Sequence, residues 1–173
     1  MELAHKKYME NHRNDNSDSN DTEDIFGTWH FDCPESADIW DEDQEQTIVW
    51  KIHRPDGKDK CLWVVFHQVC VEGIISIGWV DNPDNGQIFG KELRFTWSGC
   101  ETGENYHNVG HGVITFSSFT ECAGYIVCSD ISSEKWEFTG RKVSNQVSNI
   151  PVERCRKLYQ QIPHHPKAPW NWY

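Results

Sequence analysis

The amino-acid sequence predicts an all-β fold: an eight-stranded antiparallel up-and-down barrel carrying a short lid helix and a C-terminal helix. Three observations lead there. From residue 26 onward apolar, β-branched and aromatic residues fall into short alternating runs, turn-forming residues separate the runs, and the connections are too short for crossover helices. At 173 residues the chain has the length of one domain around one core.

The predicted strands cover residues 26–33, 46–53, 60–69, 71–80, 91–99, 109–118, 121–128 and 135–143. Arg54-Pro55-Asp56-Gly57 turns the chain because proline presets its own torsion and glycine tolerates a positive φ; Asn82-Pro83-Asp84-Asn85-Gly86 contains the Asn-Gly pair favoured in hairpins. Alternation then assigns faces. Leu93, Phe95 and Trp97 share one side of their strand while Glu92, Arg94, Thr96 and Ser98 share the other, and Trp136 and Phe138 oppose Lys135, Glu137 and Thr139. A meander of such strands removes its exposed edges by closing. Residues 34–45 start with proline and carry acids in the first turn, which suits a short lid helix. Residues 151–162 put Val152, Cys155, Leu158, Tyr159 and Ile162 on one stripe of an amphipathic helix that can dock on the barrel wall.

The formal net charge of −11 is concentrated at one end of the chain. Residues 1–24 hold 7 acids and 3 bases, residues 25–46 hold 7 acids and no base, and the remainder is balanced at 13 of each. Residues 1–24 therefore read as a disordered acidic tail, residues 25–162 as the barrel domain with its helix, and residues 163–173 as an aromatic C-terminal tail. Without a basic stripe to displace counterions, nucleic acid is not an expected partner. No apolar run reaches the roughly 18 residues of a membrane span. The N-terminal segment has no apolar secretion core, so the expected location is the cytoplasm.

The seven cysteines (33, 61, 70, 100, 122, 128 and 155) are odd in number and never spaced C-x-x-C, which reads as reduced, mostly buried thiols and no zinc knuckle. His107 and His111 stand four apart in a glycine-rich stretch, and His164 and His165 sit among prolines; both pairs read as ordinary histidines, so no metal is expected. There is no G-x-S-x-G elbow, phosphate loop, G-x-G-x-x-G or H-E-x-x-H, and no cofactor is expected.

Phe26-Gly27-Thr28-Trp29 resembles the G-x-W opening strand of the calycins, the superfamily of lipocalins, intracellular fatty-acid-binding proteins and avidins. In lipocalins a basic residue near the end of the last strand lies across that tryptophan and closes the barrel floor; the resemblance assigns this place to Arg141, against Trp29. A helix after the last strand is also lipocalin-like. The Arg-x-Tyr pair of fatty-acid-binding proteins is replaced here by Arg141-Lys142-Val143, so the resemblance carries no fatty-acid carboxylate site. It implies a barrel with a cavity.

An eight-stranded barrel is wide enough for one small ligand or for its own side chains. Trp50, Phe66, Trp79, Phe95, Trp97, Tyr125 and Trp136 are the large residues that alternation can turn inward, and together they would line a flat aromatic pocket for a small hydrophobic molecule, polycyclic or isoprenoid-like. Such a ligand is the expected partner. Catalysis would instead require an acid or base among apolar walls, with His67, Glu72, Glu101 and Glu104 as candidates, and would amount to a cofactor-independent isomerisation or cyclisation. The third reading is a scaffold that meets a protein partner through its tails.

Overall fold

A computed structural model describes residues 24–37, 48–58, 60–68, 71–78, 88–101, 107–129 and 133–161. Eight strands form a closed barrel in chain order: β1 (Gly27–Asp32), β2 (Ile48–Ile52), β3 (Leu62–Gln68), β4 (Val71–Ile77), β5 (Leu93–Glu101), β6 (His107–Phe116), β7 (Glu121–Cys128) and β8 (Trp136–Ser144). Every neighbouring pair is antiparallel, and β1 pairs with β8 to close the sheet. The predicted architecture is the observed one. Helix α1 (Pro34–Ala37) follows β1, and helix α2 (Val152–Gln161) follows β8. The rest of the predicted lid helix, the turn at 82–86, and the tails apart from Asp24 lie outside the described residues.

Alternation sets the interior. Inward residues include Trp29 and Phe31 on β1, Trp50 and Ile52 on β2, Val64 and Phe66 on β3, Phe95 and Trp97 on β5, Ile114 and Phe116 on β6, and Trp136 and Phe138 on β8, all in one apolar cluster. In the turn between β2 and β3, Gly57 takes φ 78° and the Asp56 carboxylate accepts from the Lys58 amide at 2.9 Å.

One end of the barrel is plugged by residues 24–26. The Trp29 indole, fully buried, donates to the Ile25 carbonyl at 2.8 Å and packs edge-on against Phe116 at 5.3 Å. Asp24 is buried too: its carboxylate accepts from the Phe26 amide and from Arg54 and Lys142, and the Lys142 ammonium also donates to the Asp24 carbonyl at 2.7 Å. Asp24 thus belongs to the barrel and not to the acidic tail.

The floor base differs from the expectation. Arg141 stands across from His30 and Glu121 and is exposed on the outer wall, while its neighbour Lys142 stands across from Trp29 with its side chain 8 % exposed. The period of two decides this: Trp136, Phe138 and Gly140 point inward, so the next inward position is 142. Gly27 is tied to the same corner. Its φ is +130°, and a Cβ there would come within 2.2 Å of the Ser144 carbonyl, just where the β1–β8 register shifts between Thr28 and Trp29.

The outer wall is not uniformly wet. Helix α2 lies over β3 and β4, where Cys155 seats against outward-facing Trp63 and Ile74, with Val152, Leu158 and Tyr159 beside them. The Tyr159 and Thr96 hydroxyls are hydrogen-bonded, and Arg156 reaches Asp56 at 3.0 Å. Ser98, expected on a solvent face, is 1 % exposed. No helix among the described residues is long and apolar enough to cross a membrane.

Candidate functional site

At the end opposite the plug the lumen opens into a cavity. It is small, with about 50 Å³ open to the centre of a water molecule. Phe31, Trp50, Phe66, Trp97, Trp136 and Phe138 supply the rings of its wall; Ile48, Val71, Ile75 and Ile126 fill between them, and Cys33, Gln68, Asn108 and Cys128 lie toward the strand ends at the mouth.

Below the cavity the barrel is filled. Trp50 meets Phe31 at 4.4 Å, Phe95 at 5.4 Å and Phe138 at 5.6 Å between ring centroids, mostly tilted or edge-to-face, which is the geometry that ring quadrupoles favour. This cluster separates the floor around Trp29 from the open space above. The cavity is therefore half a barrel deep.

Glycines stand opposite five of the inward rings. Phe31, Phe66, Phe95, Trp97 and Phe138 stand directly across from Gly140, Gly73, Gly112, Gly110 and Gly124 on the neighbouring strands. In each pair the ring leans over the glycine, where a Cβ would approach it within 2.3 to 2.8 Å. Phe66 and Trp97 meet edge-on at 5.8 Å between centroids in the cavity wall, while Phe31, Phe95 and Phe138 join the packed cluster around Trp50. The Trp97 indole is fixed further by donating to the Val127 carbonyl at 3.2 Å.

Of the residues expected to bind a ligand, Trp50, Phe66, Trp97 and Trp136 line the cavity. Phe95 is inward but belongs to the packed layer beneath it. Tyr125 is a correction: it pairs with Val113 and Glu137 on the outward parity of β7, and the Lys135 ammonium sits 4.3 Å above its ring on the outer wall. Its neighbours Gly124 and Ile126 take the inward places. Trp79 lies outside the described residues. The lining also includes Phe31 and Phe138, which alternation alone could have supplied, and Asn108, which no sequence pattern marks.

The acid–base candidates gather nowhere. His67 and Glu72 face each other across β3 and β4 with Nδ1 and Oε1 3.0 Å apart, both side chains more than half exposed on the outside. Glu101 ends β5 on the parity of Trp97 and Gly99, half-buried across from Val71 at the mouth, and Glu104 is outside the described residues. Burial pushes the Cys33 thiol up, against a smaller downward pull from its hydrogen bonds with Ser36, so the thiol stays protonated at neutral pH. His107 and His111 belong to strand β6, and burial together with the Lys135 charge lowers the His111 pKa. Among the described residues no three His, Cys, Asp or Glu side chains cluster to hold a metal.

Compared with known proteins, the chain finds no matching family model and no significant match among curated proteins or solved structures.

Proposed function

We propose that this is a calycin-like barrel that binds a small, flat, hydrophobic molecule in its open half. The observation that carries the reading is the pairing of lining aromatics with facing glycines. Phe31, Phe66, Trp97 and Phe138 each lean on a glycine of the neighbouring strand, which makes room for the ring at the wall and supports a ring-lined opening at the mouth. A polycyclic ring system suits this slot better than a flexible isoprenoid chain, because it stacks on rigid rings with little entropy to lose. A cytoplasmic location belongs to the same reading, since the buried cysteines are thiols rather than disulfides.

Carriage is favoured over isomerisation or cyclisation. Among the described lining residues none bears a carboxyl or an imidazole, the groups that most often move a proton in an active site. The test is titration with naphthalene, followed by intrinsic tryptophan emission. Trp50, Trp97 and Trp136 should report a saturable change, and Trp97→Ala should weaken binding about tenfold or more, as loss of an aromatic anchor does. No saturable change, together with no small molecule retained in native mass spectrometry of the protein from its own host, would leave the scaffold reading in its place.

A further inference from the structure

Inside the cavity one polar atom is out of place. Asn108 points inward from β6 at the mouth, its side chain is buried at 3 % exposure, and its Oδ1 has no hydrogen-bond partner. Its cross-strand neighbour on β5 is Gly99, which offers no side chain to bond it. A buried carbonyl-type oxygen without a donor costs as much as a lost hydrogen bond, and the same site would hold a leucine of similar size at no such cost.

The charge around it narrows what could supply the donor. The described lining carries no ionisable group apart from thiols, so neither an anion nor a cation would find a counter-charge after losing its water. In sequence, the segments joining strands at this end (33–47, 69–70, 102–106 and 129–135) contain nine acids and one base, Lys135. An anionic ligand would meet like charge on approach.

We infer that Asn108 is the specificity-determining residue of the cavity and that it selects an uncharged, flat aromatic molecule bearing one O–H or N–H donor at its mouth-facing end. The inference rests on the cavity being a ligand site. Water reaching the mouth can serve Oδ1 while the barrel is empty. A ligand that displaces this water without bringing a donor strands the oxygen, and one that brings a donor does not. Discrimination therefore comes from the penalty on the wrong ligand more than from attraction to the right one.

The experiment is calorimetric titration of the full chain with 2-naphthol, 2-methoxynaphthalene and 2-naphthoate. The native protein should bind 2-naphthol about tenfold or more tightly than its methyl ether, with naphthoate weakest. Asn108→Leu should bind the alcohol and the ether equally while melting no lower than the native protein, a result that a merely structural asparagine would not give. Equal binding of alcohol and ether to the native protein overturns the inference and leaves the cavity reading intact, and so does an Asn108→Leu variant that still prefers the alcohol. Tightest binding of naphthoate overturns it as well. Failure of all three probes to bind overturns both. The native series is decisive even if the variant does not fold.

Discussion

Trp29 joins a hydrogen-bond donor, a large ring and a fixed place beneath the packed aromatic layer, and each feature has a separate cause. Its ring fills the floor against Phe116, and its N–H meets the Ile25 carbonyl, so the plug and the barrel hold each other. Trp29→Ala should lower unfolding free energy by about 3 to 5 kcal/mol in denaturant titration, and a loss below about 1 kcal/mol would mean that the floor closes without it. His53 behaves differently. It is 5 % exposed with Nε2 unpartnered, and burial lowers its pKa from the ordinary 6.5. As pH falls through 6.5 the unfolded chain takes up a proton that the folded one refuses, so this site's stability is present above that value and is lost progressively down to the folded pKa. Melting temperature should therefore fall between about pH 7.5 and about pH 5.5 more steeply for the native protein than for His53→Leu, and parallel slopes would refute this.

Among the elements, the facing strands β5 and β6 show how backbone economy makes room for rings. Gly110 lies opposite Trp97, and a methyl group there would come within 2.0 Å of the Val127 carbonyl and 2.3 Å of the indole nitrogen. Gly110→Ala should cost about 1 to 3 kcal/mol by chemical denaturation and weaken naphthalene binding, because the indole must swing toward the axis. Unchanged affinity would show that the wall has another way to yield. Helix α2 plays a different part. Its stripe covers Trp63 and Ile74, which the period of two turns outward. A chain ending at Ile150 should lose several degrees of melting temperature and gain surface hydrophobicity visible as dye binding, since two large apolar side chains become exposed. A melting temperature unchanged by truncation would mean that the helix rests on the wall without stabilising it.

For the whole molecule, the division between packed floor and open mouth couples ligand to stability. A ligand at a hundredfold excess over its Kd should stabilise by about 2.7 kcal/mol, which for a chain of this size raises the melting temperature by roughly 5 to 11 °C. Differential scanning calorimetry with 2-naphthol at increasing concentration checks this, and a melting temperature independent of concentration contradicts specific binding. The amino-acid sequence by itself determined the strand order, the closed sheet, the C-terminal helix and the inward direction of Trp50, Phe66, Phe95, Trp97 and Trp136, because short connections and a period of two are local properties. Its resemblance to lipocalins did not point to position 142, selecting Arg141 instead, although alternation from Trp136 and Phe138 places 142 inward. Nor did it show that Tyr125 faces out, because the small inward side of β7, with Gly124 beside it, gives no apolar alternation to read. The meeting of each ring with its glycine, the burial of Ser98 on the outer parity of β5, and the unpartnered oxygen of Asn108 were decided by tertiary structure alone. Each depends on which residues of distant strands come level with one another, and that is set when the barrel closes.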